Sequence, residues 1–272
     1  MEDHVWTGEK KRRAISSSDL KMRLDINKKS QSKDFQSWLR KRLNVRNSEQ
    51  ILDVGCGTGA QTYFMAEDAG EKGQVVAIDI SDTSIENLKN NLPNHLKERV
   101  SAYPLDMGDI KEFLTKNYDN KKFTLAQSSY ALYYSPKRIS VLTEMQERTD
   151  TFGRVSVFTP CPPHGMIDFA SKHHQISEPV RDSLFFGEDT LRPLFRKCFH
   201  ELEVHYFQSK VSITSLDEFK SFYEATTYYD ESHQSLYEEA EYLINKNGAI
   251  TFDKCGILLI GSGVKQLCID AF

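Results

Sequence analysis

Short apolar runs and amphipathic stretches alternate along most of the chain. The runs Ile51-Leu52-Asp53-Val54 and Val75-Val76-Ala77-Ile78, with residues 100–105, 123–128 and 154–158, are each of strand length. Between them, residues 62–69, 84–91, 110–116 and 138–149 carry apolar side chains at helical spacing. Strands separated by helices of this size predict β-α-β units, and so a doubly wound parallel sheet of α/β class with helices on both faces. Ahead of this region, Leu20, Leu24, Phe35, Trp38, Leu39 and Leu43 fall on apolar stripes. They predict one or two amphipathic helices within 18–43, broken near 28–32.

The rhythm changes after Pro160. Helical stretches at about 164–175 and 188–198 lead to an alternating segment at 202–213, a helical block at 216–246 and a last strand at 256–260. Two late strands separated by a helical insertion predict an antiparallel edge on the parallel sheet. No internal repeat is visible.

The 272 residues suit one large domain or two small ones. With 39% hydrophobic residues, 16 Phe and 12 Tyr, the chain has apolar surface enough for a full core. Lys and Arg total 35 against 39 Asp and Glu, a net charge of -4. No global field therefore draws the chain to nucleic acid or anionic lipid, and nucleic acid is not an expected partner. The run Lys10-Lys11-Arg12-Arg13 reads as a solvated terminus or, alternatively, a nucleic-acid arm.

Five scattered cysteines (Cys56, Cys161, Cys198, Cys255, Cys268) form no C-x-x-C pair, which argues against a disulfide framework or a zinc ribbon. The opening residues lack a signal-peptide apolar region, and no apolar run reaches the roughly 20 residues needed to cross a bilayer. Cytoplasmic residence and no membrane partner are the expectations.

The run 51–54 leads directly into Gly55-Cys56-Gly57-Thr58-Gly59, and a helix follows. Glycines let such a turn take positive φ and let a ligand approach the backbone. The turn stands at the carboxyl end of a strand, where open α/β sheets bind ligands. The next strand ends in Asp79, twenty residues beyond Gly59, where a carboxylate can accept from both hydroxyls of a ribose. Gly55, Gly57 and Ala60 also satisfy a loose dinucleotide fingerprint that would suit NAD. Asp53 argues the other way, because it would crowd a pyrophosphate but sits well near a cationic ligand. The third strand ends in Leu105-Asp106-Met107, an acceptor for an exocyclic amine beside an apolar side for a purine.

The stretch 52–59 resembles motif I of class I S-adenosylmethionine-dependent methyltransferases of the small-molecule type. The similarity continues through residues 76–81, Asp106-Met107 and residues 123–130. It covers about 50 to 160 and, more weakly, the last strand.

The resemblance implies a Rossmann-like seven-stranded sheet with its last strand antiparallel. It also implies S-adenosyl-L-methionine as cofactor, with S-adenosyl-L-homocysteine as product. Carried over by position, Gly55, Gly57 and Gly59 would pack on the methionine part and ribose, with Asp53 nearby. Asp79 would hold the ribose hydroxyls, and Ile80 and Met107 would flank the adenine. Asp106 would accept from the adenine amino group, and Ser128 would lie beneath the methionine moiety. Two departures are Thr124, where many members carry Asp, and Gly153-Arg154, where Gly-Gly is common. The resemblance divides the chain into an arm, 1–45, and a methyltransferase domain, 46–272, with an insertion at about 216–247.

Acceptor chemistry is expected at the carboxyl ends of strands four and five. Tyr130 and Tyr133 wall the acceptor or contact its reacting atom, or else pack in a helix. His164, after Pro160-Cys161-Pro162-Pro163, is a candidate base or a surface-loop histidine. Cys161 and His164 have no matching pair of metal ligands, so no metal is expected. His173 and His174 read as solvated helix residues.

In the late block, Phe219, Phe222 and Tyr223 share one helical face and read as core, whereas Tyr228 and Tyr229 lie at a helix break and are candidates to cap the acceptor. Lys28 and Gln31, at the break in the arm, are candidates to reach the ligand. No [DNS]-P-P-[YFW] sequence is present, which argues against a DNA adenine methyltransferase. The function expected is methyl transfer to an O or N atom of a small molecule. The alternatives are an RNA or protein acceptor, or a non-catalytic binding protein on the same fold, with an NAD-dependent dehydrogenase last.

Overall fold

The computed structural model describes residues 15–265 continuously, together with residues 6, 12, 13 and 267. Lys10, Lys11 and Cys268 lie outside the described residues. The seven strands are β1 (Gln50–Val54), β2 (Gln74–Asp79), β3 (Val100–Pro104), β4 (Phe123–Ser129), β5 (Thr149–His164), β6 (Phe199–Ile213) and β7 (Ile250–Val264). They form one sheet in the order β3-β2-β1-β4-β5-β7-β6. β1 to β5 run parallel, and β7 is antiparallel to both its neighbours.

Among the described residues, eleven α-helices accompany the sheet. They are α1 (Ser17–Ser30), α2 (Phe35–Leu43), α3 (Ala60–Asp68), α4 (Asp82–Asn91), α5 (Ile110–Tyr118), α6 (Arg138–Glu147), α7 (Gly165–Ala170), α8 (Glu178–Phe185), α9 (Arg192–Cys198), α10 (Leu216–Glu224) and α11 (Gln234–Asn247). A π segment, Phe186–Leu191, joins α8 to α9.

The continuous apolar runs of the parallel strands are split between two cores. Leu52, Val54, Val76 and Ile78 belong to one cluster with Leu142 and Val157. Ile51, Val75 and Ala77 belong to the other with Leu39, Leu43 and Leu88. Successive strand residues point to opposite faces, so a sheet covered on both sides needs apolar residues at every position.

The two late strands form the expected antiparallel addition at one edge of the parallel sheet. β7 lies inside the sheet and β6 forms the edge. The reason is in the side chains: Ile257, Leu258, Leu259 and Ile260 are buried on both faces of β7. β6 instead exposes His200, Glu201 and Glu203 and alternates buried with exposed positions from Phe207 onward. A charged, one-sided strand tolerates the edge, and an all-apolar one does not.

β5 is much longer than the five residues its apolar run marks. It continues past Phe158 to His164, pairing Cys161 with Cys255 and His164 with Lys254 across β7. The register slips between those two pairs, at Pro162 and Pro163, which have no N–H to give the ladder. His164 therefore ends a strand and does not sit on a free loop.

The two departures from the family pattern are structural. Thr124 Oγ1 accepts from the Gln50 N–H at 3.0 Å and donates to the Gln50 carbonyl at 3.2 Å, tying β4 to the start of β1. Arg154 is buried; it donates to Glu49 Oε1 at 2.7 Å and to the Leu43 carbonyl at 2.6 Å.

The helical break falls at residues 31–34, between α1 and α2. Ser16 caps α1 and Asp34 caps α2, accepting from the N–H groups of Asp19 and Ser37. The break is fastened to β6: the Ser32 N–H donates to the Lys210 carbonyl at 2.8 Å, and the Lys210 N–H donates to Ser32 Oγ at 3.0 Å. α2 then buries Leu39 and Leu43 in the core.

Phe219 and Tyr223 are fully buried and stack with centroids 6.3 Å apart, as their shared face requires. His173 and His174 are half-buried and partnered, in the turn that follows α7. His173 Nε2 meets Glu239 at 2.8 Å, and His174 Nε2 meets the Tyr223 hydroxyl at 2.8 Å, so the two rings join the turn after α7 to the late helices. Cys56, Cys161 and Cys255 are buried free thiols, and Cys198 is buried as well.

Candidate active site

The carboxyl ends of β1, β2, β4 and β5 open on a cavity of about 270 Å³, covered by α1 and by the segment after α10. Its floor at one end is the glycine turn. Gly55, Gly57 and Gly59 have φ values of 75°, 54° and 90°, in the left-handed region where a side chain is strained. A Cβ on Gly55 would stand 2.2 Å from the Cβ of Ala131, so the turn also needs glycine for space. The N–H groups of Gly55 and Cys56 both donate to the Ile78 carbonyl, at 2.8 and 3.0 Å, and hold the turn against the end of β2.

Asp79 completes that grip. Its Oδ2 accepts from the Gly57 N–H at 2.8 Å and its Oδ1 from the Ser81 N–H at 2.9 Å. Each oxygen keeps a further lone pair for an incoming hydroxyl. Burial pushes the Asp79 carboxyl above its ordinary value, and the two backbone donors hold it back in part.

Asp53 sits beneath the turn, fully buried, accepting from Thr62 Oγ1 at 2.6 Å and from Gln127 Nε2 at 3.2 Å. Burial raises its pKa to about 6. It does not line the cavity; it fixes α3 and β4 to the turn.

Of the other residues expected at the cofactor end, Gly55, Gly57, Asp79, Ile80 and Met107 line the cavity, joined by Ser84 and Leu105. Gly59, Asp106 and Ser128 do not. Gly59 begins α3, and a Cβ there would meet Leu88. Asp106 Oδ1 accepts from the Gly108 N–H at 2.8 Å and so caps the turn that follows β3. Ser128 is fully buried, and its hydroxyl has no partner.

The other end is aromatic. Tyr130, Tyr133, Tyr134 and Tyr228 line it, with His164. Tyr130 has φ 55°, a strained value for a residue with a Cβ. Its ring packs edge-on against Phe158 and Phe35, at 4.7 and 5.4 Å, and its hydroxyl is buried without a partner. Burial drives the phenols of Tyr130, Tyr133 and Tyr228 upward, so all three remain protonated donors.

His164 Nδ1 is also buried and unpartnered, and burial with nearby Lys254 lowers the ring's pKa to about 4. Near neutral pH it is an uncharged imidazole, a weaker base than a loop histidine would be. Tyr229 lies outside the lining. Arg13 stacks over its ring at 4.4 Å and bonds the Glu224 carbonyl, which commits that member of the basic run to the fold.

Lys28 and Gln31 do not line the cavity, because α1 presents its other side. Leu20, Arg23, Leu24 and Asn27 do so instead, at helical spacing. Lys254 was missed as well. Its signal was period two: Phe252 and Lys254 share one face of β7, and both line the cavity.

Residues 46–197, more than half of the chain, match the family model described as a methyltransferase domain. The chain belongs to that methyltransferase family. Among curated relatives, it is 28% identical over 112 residues to aklanonic acid methyltransferase DauC of Streptomyces sp. (strain C5), a match covering 41% of this chain and 48% of that protein. It is 34% identical over 113 residues to the magnesium-protoporphyrin O-methyltransferase of Rhodobacter capsulatus, covering 42% and 45%. The matches thus span about half the length of these relatives.

The solved structure of YcgJ from Bacillus subtilis superposes with a TM-score of 0.57 at 14% identity, covering 85% of this chain and 97% of that one. That likeness is one of fold: the Rossmann-like sheet with its antiparallel last strand. Among the described residues no helix is long and apolar enough to cross a membrane, and no group of three or more His, Cys, Asp or Glu is placed to hold a metal ion.

Proposed function

We propose that this methyltransferase uses S-adenosyl-L-methionine to methylate an O or N atom of a small molecule. The observation that carries the reading is one cavity with two unlike ends. At one end the Gly55–Gly57 backbone and the Asp79 carboxylate offer a close approach and a diol acceptor. At the other, Tyr130, Tyr133 and Tyr228 form an apolar wall set with polar atoms. The names of the curated relatives, which act on aklanonic acid and magnesium protoporphyrin, support a small acceptor.

The residues present fit the cofactor: a Cβ at Gly55 or Gly57 would fill the cradle, and a carboxylate at Asp79, beside that cradle, supports a ribose role for it. Gly55, Gly57 and Asp79 would hold the nucleoside, with Ile80, Leu105 and Met107 against its base. When bound, the cofactor supplies an activated methyl group, so the protein's task is alignment and exclusion of water. α1 and the segment 226–228 close the cavity from above. The unpartnered Tyr130 hydroxyl, on a strained backbone, supports a role for it as a donor to the acceptor.

Calorimetric titration with S-adenosylmethionine and S-adenosylhomocysteine, with NAD as control, tests the reading. Saturable micromolar-range binding of the sulfur ligands without NAD binding is expected. A folded sample that binds neither overturns it.

A further inference from the structure

Two cations face the acceptor end of the cavity, and no carboxylate among the described residues answers either of them. Lys254 comes from β7 and Arg23 from α1. The recorded contact of Lys254 Nζ is the face of the Tyr130 ring, 5.7 Å from its centroid. The charged and titratable groups around it are Arg23 from α1, Tyr130 after β4, His164 opposite it on β5, Tyr228 after α10 and its chain neighbour Asp253.

None of these supplies a counter-charge. Asp253 and Asp79 both line the cavity, but Asp253 is engaged by Lys210 Nζ at 3.0 Å and Asp79 is held by the N–H groups of Gly57 and Ser81. Arg23 lies close enough to bear electrostatically on Lys254, Tyr133 and Tyr228 alike.

Lys254 and Arg23 are both half-buried, and holding two unpaired cations close together on a largely apolar cavity is costly. The arrangement becomes favourable once an anion lies between them. Resting on the methyltransferase reading of this cavity, we propose that the acceptor is an apolar organic acid whose anionic oxygen is held by Lys254 and Arg23, with Tyr130 donating to it. The protein prepares for that anion. Burial and the nearby Arg23 lower the Lys254 pKa to about 7, so part of the free protein carries a neutral amine. An arriving anion restores the ordinary preference for the ammonium, and binding above neutrality draws a proton from solution.

The test uses the full chain saturated with S-adenosylhomocysteine, whose own binding is measured first. 2-Naphthoate is then compared with its neutral isostere 2-naphthamide, in two buffers of different ionisation enthalpy. The acid is expected to bind about tenfold more tightly than the amide, and at about pH 8 to take up protons. Lys254→Met is expected to cut the preference about fivefold and abolish the uptake, and Arg23→Met to cut the preference similarly, with S-adenosylhomocysteine affinity kept in both.

Equal binding of acid and amide, failure of both to bind, or an unchanged preference in Lys254→Met overturns the proposal. Failure of S-adenosylhomocysteine to bind instead strikes the cofactor reading, and the two failures are read separately.

Discussion

The Asp79 carboxylate accepts from the Gly57 N–H at 2.8 Å, so the acidic residue ending one strand directly braces the glycine turn ending its neighbour. The proposed ribose acceptor and the local architecture therefore share one side chain. Asp79→Ala removes both the diol acceptor and the brace, whereas Asp79→Asn keeps an oxygen for the brace. Loss of two charge-assisted hydrogen bonds sets the expected fall in S-adenosylmethionine affinity at about 100-fold or more for Asp79→Ala. Titration calorimetry reads the affinity, and unchanged far-ultraviolet circular dichroism shows that the fold is kept. Normal affinity in the alanine variant would refute the ribose role.

Gly55 carries both a positive φ and a close neighbour, and these are separable. Gly55→Ala forces a Cβ to 2.2 Å from Ala131 Cβ and is expected to destabilise the protein by about 2 kcal/mol or more. Adding Ala131→Gly removes the clash and leaves the backbone strain of about 1 kcal/mol. Urea unfolding of the single and double variants checks this, and no recovery in the double variant contradicts the steric account.

Asp53 gives a pH signature. Its folded pKa is raised to about 6, so its contribution to stability is fully present below the unfolded value and is lost as pH rises through the folded one. Between about pH 4 and pH 8 this group alone should remove about 3 kcal/mol. Asp53→Asn lacks that titration. The difference in unfolding free energy between wild type and variant should therefore shift in the variant's favour with rising pH. A difference independent of pH would show that the carboxylate is not buried as described.

The Arg154–Glu49 pair, 2.7 Å apart and largely shielded from solvent, replaces the second glycine usual at this point of the family. Arg154→Met strands a buried carboxylate and is expected to cost about 3–5 kcal/mol, whereas Arg154→Met with Glu49→Leu should recover most of that loss. Denaturant midpoints at equal m-values decide the matter.

Much of this was legible in the sequence because the parallel strands and the glycine turn are local in sequence. Five apolar runs, the turn and the distal Asp79 placed β1 to β5 and the cofactor end. The acceptor end was harder, since it is assembled from distant segments. His164 reaches it only because β5 continues through a proline bulge, and Lys254 reaches it only because β7 pairs with β5. On α1, Lys28 and Gln31 sat at the visible break, but the helix rotates Arg23 and Asn27 to the cavity. Nothing local says which side of an amphipathic helix with few apolar residues will face a ligand. Asp106 and Ser128 showed the limit of position alone, because a turn cap and a buried strand hydroxyl occupy the same sequence slots as ligand contacts.

The placement of β7 between β5 and β6 bears on the order in which the molecule is completed. Strands β1 to β5 are synthesised in succession and can pair as they emerge, closing the nucleoside half around the glycine turn. β6 has no strand beside it in the sheet until β7 has been made and slotted in, and Lys254 arrives with that same strand. In a nascent chain the glycine turn and Asp79 can therefore be in place well before the strand that carries Lys254 is paired.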